Sequence, residues 1–156
     1  MTDKEYIDLC IEMAKENVIS GNGGPFAAIV IKDGQIVGKG FNLVTTNNDP
    51  TAHAEVNAIR NACSNLNTFQ LNGCEIYCSC EPCPMCFGAI FWARPDKVYF
   101  AADKAEASRY GFDDSFIYGQ ITASIEERTI PFEHIISKKL FEPFELWKQK
   151  TNKIDY

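Results

Sequence analysis

Two short stretches carry side chains able to do chemistry together: Thr51-Ala52-His53-Ala54-Glu55 and Glu81-Pro82-Cys83-Pro84-Met85-Cys86. If Cys83 caps a helix, Cys86 falls at its third position, and the pair shares the helix mouth as capping-box partners do. Thiolates there sit at the positive end of the helix dipole, which lowers their pKa. Pro84 suits the first helical position, because the N–H it lacks would be unpaired there anyway. Sulfurs at this spacing suit zinc, which they bind at ~2.3 Å. Two sulfurs do not complete a site, and His53, at the start of another predicted helix, is the candidate third ligand. Three protein ligands leave a fourth position for water, the arrangement of a catalytic zinc, and the pKa of that water falls to about 7. Glu55, two residues beyond His53, does not share its helix face and need not be a ligand. Beside the same ion it can take a proton from water and return it to a leaving group. His-x-Glu followed by Pro-Cys-x-x-Cys is the signature of zinc deaminases.

Each half has a plainer reading on its own. His53 alone is an ordinary helix-start residue, and Glu55 alone is a solvated carboxylate. Cys83 and Cys86 alone fit a redox pair or half of a structural zinc site. Cys80 extends the run to Cys80-x-x-Cys83-x-x-Cys86 and is an alternative ligand. An all-cysteine closed site would be structural and would leave Glu55 idle, so His53 is the preferred third ligand. Cys78 shares a strand face with Cys80 and reads as a small buried side chain.

These residues need elements to hold them. Tyr6, Ile7, Cys10, Met13, Ala14 and Val18 form an apolar stripe that predicts a helix from about Thr2 to Ile19. Gly21, Gly23 and Gly24 end it in a turn. Phe26 to Ile31 reads as a strand, Lys32-Asp33-Gly34-Gln35 as a hairpin turn, and Ile36 to Leu43 as the return strand. Val44 to Asp49 reads as a loop. Pro50 and Thr51 are expected to open a helix to about Ser64, capped by Asp49 or Thr51. Glu75 to Ser79 is a third strand, Pro84 to about Ala93 a helix, and Lys97 to Ala102 a fourth strand in a right-handed parallel unit. Lys104 to Tyr110 reads as a short helix, and Phe112 to Tyr118 shows no assignable period. Ile130 to Ile136 reads as a fifth strand, and Phe141 to about Asn152 as a terminal helix. The pattern is α/β: a mixed five-stranded sheet between helices, in one domain of 156 residues.

Composition narrows the partners. The charge is −6, from 15 basic and 21 acidic residues, and the longest basic run is Lys138-Lys139. That favours a small neutral substrate over a nucleic acid polymer. No apolar run is long enough to span a bilayer, and the acidic N-terminus does not read as a secretory signal. A cytoplasmic protein is expected. Five of the seven cysteines crowd between Cys74 and Cys86. In that compartment, such clustering points to metal or catalysis rather than disulfides.

The stretches GGPFAAIVIKDG, TTNNDPTAHAEVNAIRNAC, SCEPCPMCFGAIFWARPDKVYFAA, GFDDSFIY and EERTIPF cover most of residues 23–132. Together they make the chain resemble bacterial guanine deaminases of the cytidine deaminase superfamily. HAE and PCPMC are common to the superfamily, including tRNA adenosine deaminases. GFDDSFIY, Trp92 and Tyr156 are more particular to guanine deaminases. The resemblance implies a three-layer α/β/α fold, one zinc ion per subunit, and a homodimer whose C-terminal segments, residues about 131–156, are exchanged. It implies that Asn42 hydrogen-bonds the purine base, that Phe26 and Trp92 line its pocket, that Asp114 helps in proton transfer, and that Tyr156 of the partner chain closes the site. Guanosine, cytosine and tRNA adenosine remain alternative substrates, and a structural zinc module is the alternative outside catalysis. The family pattern has Thr where this chain has Cys78, ahead of the metal loop.

Overall fold

The computed structural model describes residues 1–156. They form two compact units, Met1–Ser115 and Phe116–Tyr156. The first begins with α1 (Asp3–Ile19), where Thr2 and Glu5 make a reciprocal capping box. Strands β1 (Ala27–Lys32) and β2 (Gln35–Phe41) follow. Asp33 and Gly34 between them both have positive φ, the conformation a two-residue hairpin needs. Then come α2 (Val44–Asn47), α3 (Ala54–Leu66), β3 (Cys74–Cys80), α4 (Pro84–Ala93), β4 (Lys97–Ala102) and α5 (Lys104–Ser108). Helix α6 (Ser115–Thr122) crosses the boundary, and the second unit adds a 3-10 turn (Ile125–Glu127) and α7 (Glu142–Gln149).

The sheet has four strands in the order β2-β1-β3-β4. β1 is antiparallel to β2 and β3, and β3 is parallel to β4 across the α4 crossover. The expected fifth strand at Ile130–Ile136 is not formed; those residues are exposed and irregular. Alternating apolar residues favour an extended chain, but a strand exists only where an edge offers hydrogen bonds.

Alternation along β1 and β3 sorts two cores. Ala27, Ile29, Ile31 and Tyr77 pack with Tyr6, Cys10, Met13 and Ala14 of α1. Ala28, Val30, Ile76 and Cys78 pack with Ala54, Ala58 and Ala62 of α3 and Ile90 and Ala93 of α4. The first unit is therefore a three-layer α/β/α sandwich, and its central strands read as continuous apolar runs because both faces are covered.

Helix α3 lies close on β2. A Cβ at Gly40 would come within 2.0 Å of Ala54 O, and one at Gly38 within 2.6 Å of Ala58 O. Asparagines at every fourth residue of α3 bond alternate residues of β2. Asn57 Nδ2 donates to Phe41 O at 2.9 Å, Asn61 Oδ1 accepts from Lys39 N at 3.1 Å, and Asn65 Nδ2 donates to Val37 O at 2.9 Å. Four helical residues rise about 6 Å and two strand residues about 6.6 Å, so the registers match. The ladder occupies backbone groups of an edge strand that would otherwise invite another chain.

Candidate metal centre

The metal-ligand triangle is built by two helix starts. His53 is the N-cap of α3 and Cys83 the N-cap of α4, and neither spends its side chain on capping. Pro84 opens α4 as expected, which leaves Cys86 at its third position. Helix α3 begins at Ala54, later than the expected start at Pro50. Asp49 Oδ1 accepts from both N and Oγ1 of Thr51, at 2.8 and 2.7 Å, and folds residues 49–51 into a turn of their own. The helix cannot begin until that turn is over, and this delay makes His53 the cap.

Sequence neighbours thirty residues apart meet here. Cys83 Sγ lies 3.4 Å and Cys86 Sγ 3.6 Å from His53 Nδ1, so Nδ1 is the nitrogen that faces the sulfurs. All three ligand atoms lie within 4.8 Å of one another. A zinc tetrahedron with bonds of ~2.3 Å to sulfur and ~2.0 Å to nitrogen has sulfur-to-nitrogen edges of about 3.5 Å. The triangle already has that size, and its one nitrogen and two sulfurs are a zinc donor set. Cys80, at the end of β3, is not part of the cluster.

Glu55 is buried at the second position of α3, where its Oε2 accepts from Cys86 Sγ at 3.3 Å. It stands beside the triangle and outside it. Burial, the largest cause, pushes its carboxyl above the ordinary range, the direction a proton carrier near neutral pH requires. Cys83 is pulled down to about 4, first by the hydrogen bond from Cys86 and then by that from His53. Cys86 moves up, first through its contact with Cys83 and then through burial. His53 is raised by its bond to Cys83. The lowering favours the thiolate of Cys83, the form that binds metal.

Asn42 follows β2, is buried, and its Oδ1 accepts from Gly24 N at 3.3 Å and Val44 N at 3.4 Å. Phe26 is half-buried against the α3/α4 core, with the Phe112 ring edge-on at 4.8 Å. Asp114 is half-buried, and its carboxyl is raised, first by burial and then by the charge of Cys83. Trp92, near the end of α4, is 65% exposed. Tyr156 belongs to the second unit, its ring 6.5 Å from Trp147. Two buried polar residues near Asn42 escape a sequence reading. Asn17 bonds Gly24 O and Asn42 O, and Ser79 Oγ accepts from Ala27 N. The one signal for Asn17 is a polar residue on the face that α1 buries.

The family described as the cytidine and deoxycytidylate deaminase zinc-binding region matches residues 1–102. Guanine deaminase of Bacillus subtilis (strain 168) is 51% identical over 156 residues, all of both chains. The X-ray structure of Bacillus subtilis guanine deaminase superposes with a TM-score of 0.98 at 51% identity, covering 100% of this chain and 99% of that one. A tRNA-specific adenosine deaminase of Aquifex aeolicus (strain VF5) is 45% identical over 100 residues, 64% of this chain and 66% of the relative.

Proposed function

The chain belongs to the family of the cytidine and deoxycytidylate deaminase zinc-binding region, and from that premise we propose that it hydrolyses guanine to xanthine and ammonia. The observation that carries this reading is the His53/Cys83/Cys86 triangle with Glu55 beside it, in a chain that aligns end to end with a guanine deaminase. Relatives specific for tRNA align with a smaller part of the chain, and the charge of −6 disfavours a polynucleotide.

His53 Nδ1 and the sulfurs of Cys83 and Cys86 would hold the zinc. Zinc bound there supplies a Lewis acid and lowers the pKa of water to about 7. Glu55 takes the proton of the attacking water as oxygen bonds the ring carbon that carries the amine. It then delivers that proton to the adjacent ring nitrogen. The second proton of that water reaches the amine through Glu55 or Asp114, the carbon–nitrogen bond breaks as the new carbon–oxygen bond becomes a carbonyl, and ammonia leaves. The interior around Glu55 keeps bulk water from competing for these protons. Asn42 donates to the base edge and so fixes which carbon faces the metal. A base without the matching acceptor would leave that buried donor unpaired, which discriminates strongly. Phe26 and Trp92 line the faces of the base.

The enzyme works as a homodimer in the cytoplasm, and residues 1–156 act as one functional domain whose segment of about 131–156 is exchanged between subunits. Support for the dimer comes from exposed rings: Phe87, Phe91 and Trp92 of α4, and Phe141, Phe144 and Tyr156 of the second unit. Phe87 and Phe91 lie side by side on α4, 4.6 Å apart, the kind of exposed apolar pair an interface covers. Trp92 and Tyr156 are then brought over the base by assembly. Seven free thiols suit a reducing compartment, and no helix is long and apolar enough to cross a membrane.

Ammonia release from guanine, guanosine, cytosine and adenine, measured side by side on zinc-loaded protein, tests the assignment. Guanine should be the fastest, with activity lost to a chelator and restored by zinc. Faster turnover of any other substrate would replace guanine in this account, and a chelator-resistant rate would remove the metal from it.

A further inference from the structure

Asn42 does not orient itself. Two backbone N–H groups, of Gly24 and Val44, face one end of its carboxamide, and only an oxygen can accept from both. The amide nitrogen is therefore left as the end free to meet a base, which makes Asn42 a donor to an acceptor on the purine. This polarity depends on the backbone around it staying in place.

That backbone is held by two helices, α1 and α3, which pack in separate cores. The carbonyls of Phe41 and Asn42 are each taken by an asparagine of a different helix. Phe41 O accepts from Asn57 Nδ2 of α3 at 2.9 Å, and Asn42 O accepts from Asn17 Nδ2 of α1 at 2.9 Å. Each clamp has a second grip. Asn17 Nδ2 also donates to Gly24 O at 2.9 Å, fixing the residue whose N–H orients the Asn42 side chain. Asn57 Nδ2 also donates to Ala52 O at 3.3 Å, one residue before the ligand His53, and Leu43 N donates to the same carbonyl at 2.9 Å. Gly23 completes the arrangement, since a Cβ there would lie 2.1 Å from Asn42 O. Asn17 is 2% exposed, on a helix face otherwise made of Tyr6, Cys10, Met13 and Ala14. A buried amide in such a place is tolerated only when its bonds are made.

We infer that Asn17 and Asn57 are positioning residues for base recognition: they lock the segment 41–43 so that Asn42 presents its donor at a fixed place relative to His53. Asn17 sets the carboxamide against the Gly24 loop, and Asn57 ties the base-reading segment to the metal turn. The inference rests on the proposal that Asn42 contacts the base.

The test is a double-mutant cycle in the zinc-loaded full-length enzyme, with KM and kcat for guanine and zinc content measured for Asn17→Ala, Asn42→Ala and both together. Asn17→Ala should raise KM by about tenfold with full zinc content, because a lost and unpaired set of buried hydrogen bonds is worth about that much. In the Asn42→Ala background the same substitution should change KM by less than about twofold, because the effect travels through Asn42. An undiminished penalty in that background makes Asn17 merely structural and overturns the inference. If Asn17→Ala does not fold, Asn17→Ser, which keeps one donor, should show an intermediate KM and the same collapse in the Asn42→Ala background; an unchanged KM there overturns the inference. If Asn42→Ala raises KM and Asn17→Ala does not, the positioning role alone fails. If Asn42→Ala leaves KM unchanged, the base contact itself fails and the inference goes with it.

Discussion

Residues 1–115 and 116–156 are two different kinds of polypeptide. Every buried residue of the chain lies between Tyr6 and Ala93, and the second unit contains none. In the first unit both faces of the sheet are covered, and the only ionisable carboxylate fully inside is Glu55. In the second unit Ile135, Ile136, Phe144 and Leu146 are all more than two thirds exposed. Its apolar residues line an open cavity of about 350 Å³ that includes Phe116, Ile121, Ile130 and Phe132. Arg128 Nε, whose guanidinium lies over the Phe132 ring, is buried there without a hydrogen-bond partner. The first unit has a core on each face of its sheet and contains the metal-ligand triangle, while Phe87, Phe91 and Trp92 of α4 stay exposed. The second exposes its apolar side chains without gaining a core. The family match at residues 1–102 falls inside the first unit, the one with the buried cores.

The contrast can be broken in four places. The largest effect belongs to Glu55→Gln, which should keep zinc and lower guanine turnover by about 10²–10⁴-fold, the range for loss of a general acid–base. Metal analysis with ammonia release checks it, and near-normal turnover in a zinc-loaded variant would move proton transfer away from α3. Second come two glycines, one from each unit. Gly40→Ala would drive a Cβ into Ala54 O and Ala58 N, both backbone atoms, and should cost about 3 kcal/mol in urea unfolding together with zinc. Gly119→Ala, in α6 with nothing within 4 Å, should cost nothing and add up to about 1 kcal/mol. Equal losses at both positions would mean that the units are packed alike. Third, Tyr156→Ala should raise KM for guanine about tenfold while zinc content and Tm stay as in the parent, as expected for loss of one aromatic contact. A fall in Tm instead would make the terminus part of a core.

The smallest effect is a pH dependence confined to the first unit, which contains all seven cysteines. Burial pushes the Cys10 thiol up to about 12. Its folded pKa lies above the unfolded value of about 8.5, so the folded state binds the extra proton between them. Its contribution is complete below pH ~8.5 and fades as pH rises toward 12. The stability advantage of the parent over Cys10→Ala, read from urea midpoints, should therefore narrow from pH 7.5 to 9.5. A gap that widens would reverse the sign.

What sequence spacing determined was local. Pro84 between two cysteines fixed a helix start and put Cys86 three positions beyond Cys83, and α4 and β4 run over the residues their composition predicts. Asp33-Gly34 fixed the hairpin, since few residues accept two successive positive φ angles. His53, Glu55 and the two sulfurs were legible as a set because metal chemistry restricts residue type as well as spacing. Only the tertiary structure decided which histidine nitrogen faces the sulfurs, that Cys80 stays out, and that Ile130–Ile136 finds no strand partner. It alone brought Asn17 and Asn57 to the carbonyls beside Asn42, across 25 and 16 residues of chain. Helix caps and tight turns are set by neighbours along the chain, and so they can be read from it. A hydrogen bond between distant residues depends on how helices settle on a sheet, and the order of residues does not record that.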